Sequence, residues 1–318
     1  MKLRLAILAA MLSMSGVVHA QSATSIPKEA KAKEARAIKV ADREPTGDEE
    51  LALAALEGLM AQPSERAVPI LKKVLAGPQS SLVKQRALFV LGQTNSPEAR
   101  QILAQTARST DPALRGEAIR SIGISGDKGS LDALKAVYEA GNEDVKKEVL
   151  QAWLIANHRE AVFQVALSAK SESEAGEAIR MLGVMGATEE LRKLADRPNA
   201  SPGLIEAYAI AGDLPSLRKI AEGNGNREVK LEAVRKMGII HGNDSRAALR
   251  QIYTSATDAD IKEAALQGLM ISGDEQGVLA LYRAAKNPEE KRRLLRMLAT
   301  MDGDAALQAI DQALESGT

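Results

Sequence analysis

A chain of 318 residues without a single cysteine can build neither a disulfide framework nor a thiolate metal site. Its 42 basic and 42 acidic residues cancel, which removes any general pull toward nucleic acid or an anionic membrane. Hydrophobic residues make up 45% and aromatic ones only 2%, so the core is aliphatic, and the abundance of Ala and Leu predicts an all-α protein.

The first twenty residues read as a targeting segment. Lys2 and Arg4 precede a short apolar run, Leu5 to Leu12, and Val18-His19-Ala20 leads to a cleavage point between Ala20 and Gln21. The run is too short to span a bilayer core of roughly 30 Å, and no later stretch qualifies. Without cysteine there is no lipid attachment through that residue. The expectation is a cleaved bacterial signal peptide and a periplasmic or secreted protein, with no membrane insertion after cleavage. Residues 21–47 are rich in Ala, Lys and Glu with almost no large apolar side chain, and read as a charged linker with no stripe for packing.

From residue 48 to residue 318 the chain repeats itself. Aligning on the small residue Ala118 of "GEAIRSIGISGD" gives equivalents at Ala55, Ala87, Val149, Ala178, Leu204, Ala233, Ala265 and Leu294. Their spacing of 26 to 32 residues defines nine units. Each unit has two halves. The first carries apolar residues at helical intervals, as in Leu114, Ala118, Ile119 and Ile122. The second does the same with Leu131, Leu134, Val137 and Tyr138, or Leu249, Ile252 and Tyr253. Neither helix is long enough to stand alone, so each buries its stripe against neighbours. Helix starts are marked by a capping residue before proline at Ser96-Pro97, Asp111-Pro112 and Asn287-Pro288. Between the halves stands "ISGD" at residues 124–127 and 271–274, "IAGD" at 210–213 and "MDGD" at 301–304. A catalytic acid is needed once and a turn in every unit, so these aspartates read as helix caps after a left-handed glycine. Units five and six depart most, and "PNASPG" at 198–203 predicts a shortened first helix in unit six. The last helix, "DAALQAIDQALESGT", is expected to close the array with a polar side.

The "VKKEV", "VKLEA" and "LRGEA" openings, the "LGxxGD"-type turns and the aliphatic core resemble the HEAT repeat in its short bacterial form. The resemblance covers residues 48–318 and implies a right-handed α-solenoid of about nine HEAT-like helix pairs. Tetratricopeptide repeats fit less well, since they need a Trp-Leu-Gly-Tyr pattern and this chain has one Trp and four Tyr. Two enzyme groups use HEAT-like folds. The hydroxylase that completes hypusine binds iron through His-Glu pairs, whereas His158 and His241 are followed by Arg159 and Gly242. Bilin lyases share the scaffold, but no pocket signature of theirs is visible here.

No nucleophilic triad, phosphate loop or calcium loop appears, so the reading assigns no catalytic residue, no metal ligand and no cofactor. Beyond His19 of the targeting segment, the two remaining histidines, His158 and His241, fall in turns, where solvation is the plain expectation. Glu189-Glu190 and Glu289-Glu290 fall at helix starts and favour the helix dipole. Trp153 takes the place of Ile122 in unit four and reads as core filling. One pattern points outward. The residue after the first strong core Leu of the second helix is Lys72, Lys135, Arg192, Arg218 and Arg250, with Tyr282 in unit eight. Stacked units align such positions into a stripe, a candidate ladder for an acidic protein or peptide partner. The reading is therefore a non-enzymatic periplasmic scaffold that grips a partner protein along a solenoid groove, with no nucleic-acid role. The alternatives are an accessory or regulatory subunit of an exported enzyme, or a bilin-lyase-like protein.

Overall fold

The computed structural model describes residues 44–195, 203–301 and 303–315. Among them are eighteen α-helices and no strand. The expected signal cleavage at Ala20 and Gln21 and most of the expected linker lie outside the described residues. Contacts divide the chain at Ala52. The N-terminal unit contributes residues 44–52, where the Thr46 N–H donates to Glu49 at 2.9 Å and closes the first turn.

The helices fall in nine pairs: α1 (Gly47–Leu59) with α2 (Ser64–Ala76), α3 (Ser81–Gln93) with α4 (Pro97–Thr106), and α5 (Pro112–Ser125) with α6 (Lys128–Ala140). Then come α7 (Glu143–Ile155) with α8 (Arg159–Ser168), α9 (Glu172–Val184) with α10 (Thr188–Ala195), and α11 (Gly203–Ala211) with α12 (Leu214–Glu222). The series ends with α13 (Arg227–Met237) and α14 (Asn243–Ser255), α15 (Ala259–Ile271) and α16 (Glu275–Ala284), and α17 (Pro288–Met301) and α18 (Asp304–Glu315). First helices of successive units pack on one another along α3, α5 and α7, from α9 to α11, and from α13 to α15. The protein is an all-α solenoid.

The repeat register holds where it can be tested. Ala87, Ala118, Val149, Ala178, Ala233, Ala265 and Leu294 are fully buried, and Leu204 nearly so. Unit one is the exception: Ala55 is exposed and Leu56 is buried in its place. In the later units glycine sets the spacing. A Cβ at Gly123 would lie 2.8 Å from the Ala152 Cα of the next first helix, and one at Gly183 would lie 2.9 Å from the Ala207 carbonyl. Any larger residue there forces the helices apart.

The turns behave as read. Gly126, Gly212 and Gly273 take φ of 68°, 73° and 64°, the left-handed conformation that ends a helix. Asp127, Asp213 and Asp274 then accept from the backbone N–H of Ser130, Ser216 and Gly277 at 2.9, 3.3 and 3.2 Å. The fourth copy differs. Asp304 is the first residue of α18 rather than a cap outside it. Asp111 and Asn287 cap through their side chains, while Ser96 makes no side-chain cap bond. In unit six the described first helix is α11, and the prolines expected to shorten it lie within residues 196–202, outside the described residues. The final helix corrects the expectation of a polar cap. Leu307 and Leu314 are 68% and 71% exposed and Ile310 is 38% exposed, so α18 shows solvent an apolar stripe. The acid and Gln residues that suggested a polar side share that surface with it.

Candidate functional site

The structure places the six ladder residues on second helices and draws most of them toward the next unit. Arg192 grips Asp213 through Nε at 2.9 Å and Nη2 at 2.7 Å. Arg250 pairs with Asp274, and Arg100 approaches Asp127 at 3.6 Å. The three acids are the turn caps, so one aspartate closes its own helix and receives a cation from the preceding unit. Lys72 lies 3.1 Å from Glu98, and Arg218 reaches Glu222 at 3.1 Å and Gln251 at 3.2 Å. Tyr282 is buried, with the Lys291 ammonium 5.7 Å from its ring centre. Lys135 is exposed and makes no ion pair among the described residues. The Asp213 side chain is fully buried. Burial pushes its pKa up, but hydrogen bonds from Arg192 and Ser216 outweigh that and hold it below the usual carboxylate value.

Trp153 fills the core as read. It is buried, its Nε1–H donates to the Leu131 carbonyl at 3.0 Å, and its ring lies 5.7 Å from that of Tyr138. His158 is mostly covered and its Nε2 sits 3.0 Å from Asp132, while His241 is exposed.

The larger finding is a side-chain cluster that occurs twice. In the first copy, the Tyr138 hydroxyl at the end of α6 donates to Glu174 of α9 at 2.9 Å. Lys146 of α7 donates to the same carboxylate at 2.8 Å and lies 5.3 Å from the tyrosine ring centre. In the second copy, Tyr253 of α14 donates to Glu290 of α17 at 2.9 Å, and Lys262 of α15 lies 5.3 Å from that ring centre. Each cluster clasps three consecutive units. Tyrosine closes the end of a second helix, and the next two first helices bring lysine and glutamate over it.

The two copies differ in closure. Lys146 touches its carboxylate, whereas Lys262 stands 3.9 Å from Glu290. In the first, hydrogen bonds from Lys146, the Lys170 N–H and Tyr138 hold the Glu174 pKa down to about 2, against a smaller opposing effect of burial. Both tyrosines are pushed above their ordinary pKa, first by burial and then by the glutamate beside them, so each stays a donor. The second cluster opens into a cleft of about 830 Å³. Its lining includes Tyr253, Lys262, Glu290, Arg292, Arg293 and Arg296.

The fold defines the class, an all-α solenoid, and within it residues 68–153 match the family model described as HEAT repeats. Among curated relatives, deoxyhypusine hydroxylase of Neosartorya fischeri is 33% identical over 120 residues, which is 36% of this chain and 36% of that protein. The same enzyme of Aspergillus fumigatus is 32% identical over 114 residues, 34% of each chain. Solved human deoxyhypusine hydroxylase in complex with glycerol is 17% identical, with 83% of this chain and 90% of that one aligned at a TM-score of 0.32. The chain spans about a third of the length of the curated relatives it matches.

These relatives correct the functional expectation. The reading of a non-enzymatic scaffold does not stand, because the curated proteins that match are an enzyme. The His-Glu iron ligands that such a hydroxylase implies have no counterpart here. His158 and His241 are followed by Arg159 and Gly242 and lie three units apart. Among the described residues no group of three His, Asp or Glu is placed to hold a metal ion. The residues present do not fit an iron centre of that kind.

Proposed function

We propose that the chain is a modifying enzyme whose HEAT repeats hold its substrate, in the class to which its curated relatives belong. The observation that supports this is the 33% identity over 120 residues with deoxyhypusine hydroxylase. No step is routed through iron, because the histidines do not fit one. The chain's own residues supply binding and orientation: successive units present polar side chains in register, and the cleft beside Tyr253 offers space and fixed donors for a polar group. The substrate is a polypeptide, a partner that an extended repeat surface suits.

The test uses the purified full-length chain and a deoxyhypusine-bearing protein, with and without added ferrous iron. With molecular oxygen as oxidant and an added two-electron reductant, the proposal expects the substrate to gain one oxygen atom, the other leaving as water, in a way that depends on this chain. That gain should persist in the double variant His158→Ala, His241→Ala. An unchanged substrate mass under both conditions overturns the proposal. We also propose that the protein is exported and cleaved after Ala20. N-terminal sequencing of the exported form should begin at Gln21, and a mature chain that retains Met1 contradicts it.

A further inference from the structure

We propose that the cleft beside Tyr253 is an oxyanion-binding site, taking carboxylate or phosphate groups through Arg292 and Arg296. The two copies of the cluster serve as an internal control, and the site stands whether or not the protein modifies its substrate. The two Tyr–Lys–Glu clusters stand at equivalent places in the repeat, with Glu174 and Glu290 each four residues before the anchor, Ala178 or Leu294. What clasps the units is therefore common to both. What differs is the helix that follows the glutamate. After Glu174 come Ala175, Gly176 and Glu177, whereas after Glu290 come Lys291, Arg292 and Arg293. Arg180 is matched by Arg296, but Arg180 approaches Glu177 at 3.9 Å, and the position of Glu177 is arginine in the second copy.

The basic residues of the second copy divide by partner. Arg293 is paired with Glu263, Lys262 stands by Glu290, and Lys291 lies over Tyr282. Arg292 and Arg296 are exposed and make no ion pair among the described residues; Arg296 reaches only the Arg292 carbonyl, at 3.4 Å. They stand one turn apart on α17, facing the same cleft. Like charges at that spacing weaken a helix, and an anion between them reverses the sign of the interaction. A guanidinium presents paired N–H donors that match the two oxygens of a carboxylate or phosphate. The lining holds four cations and two carboxylates, and of the two Glu290 is already engaged by Tyr253 and Lys262. Net attraction for an anion follows, with Lys262 close enough to join it.

Calorimetric titration of the full-length chain tests this with two probes, a tetraglutamate peptide and inorganic phosphate, at low and high salt. Binding of either probe, weakened by salt and weakened roughly tenfold or more in Arg292→Gln, Arg296→Gln, supports the site. Peptide binding without phosphate binding identifies the source as an acidic polypeptide, and phosphate binding identifies it as a small anion. The conservative glutamine pair keeps the helix polar, and circular dichroism checks that it folds. The variant Arg180→Gln, at the equivalent place beside the first cluster, should bind as the unaltered chain does. Failure of both probes to bind, or binding that the Arg292 and Arg296 changes leave intact, overturns the proposal.

Discussion

Tyr138 and Tyr253 begin from the same arrangement and end in different surroundings. Around Tyr138 the lysine touches the glutamate, Trp153 backs the ring, and the cluster closes into packing. Around Tyr253 the lysine stands off, the residue equivalent to Trp153 is Leu269, and a cleft opens toward unpaired arginines. In a repeat protein, a feature that recurs with the period is explained by the fold. Function has to be sought where one copy departs from another. The comparison makes the first cluster a clasp between units and the second a clasp turned toward a ligand.

The largest expected effects test the shared scaffold. Leu134 and Leu249 occupy equivalent buried positions on α6 and α14 beneath the two tyrosines. Truncating either to Ala should cost about 2–5 kcal/mol, measured by urea unfolding. A cost below about 1 kcal/mol at one of them would separate the two scaffolds and break the comparison. Trp153→Leu converts the backing of the first cluster into that of the second. It removes the ring contact with Tyr138 and the bond to the Leu131 carbonyl, and should cost about 2–3 kcal/mol.

Next come the ladder cations. Arg192→Ala leaves the buried Asp213 carboxylate with only its Ser216 contacts, and a loss of about 1–3 kcal/mol is expected. Lys135→Ala should stay within about 0.5 kcal/mol, because the lysine is exposed and makes no ion pair among the described residues. Equal losses at the two positions would mean that the bridges between second helices carry no stability.

The acid response is smaller and belongs to the first cluster. The Glu174 pKa is depressed from its ordinary 4.5 to about 2 in the folded chain. A depressed folded pKa contributes stability above the unfolded value, and that contribution fades as pH falls toward the folded one. Unfolding measured from pH 5 to pH 2 should therefore show the unaltered chain losing its advantage over Glu174→Gln across about pH 4.5 to about 2. A constant gap between the two proteins over that range contradicts the assignment.

Much of the fold was legible because a period is a long-range signal carried by local residues. Ala118 and its equivalents, the Asp-Pro and Asn-Pro starts, and the Gly-Asp turns each report on a helix or its end, and nine copies reinforce one another. Two helices depart from the pattern: Ala55 is exposed where its equivalents are buried, and α18 exposes Leu307 and Leu314 where the sequence reads as a polar side. The clusters escaped notice because each joins three units, and no single repeat contains them. Glu290 reads in the sequence as a residue favouring the helix dipole, which its position at the start of α17 supports, but its bond to Tyr253 reaches back 37 residues. A signal was present: lysine precedes glutamate by 28 residues in both copies, and tyrosine precedes it by 36 or 37. The ladder shows the converse. Its alignment along the second helices was legible, but the aspartates that engage Arg192 and Arg250 carry only a turn signal in the sequence.

The most direct test of the difference between the clusters is hydrogen exchange on the full-length chain with and without tetraglutamate. The account predicts slowed exchange in α15 and α17 around Lys262, Arg292 and Arg296, with α7 and α9 around Lys146 and Glu174 unchanged. Equal protection at both clusters, or protection confined to α7 and α9, would contradict it.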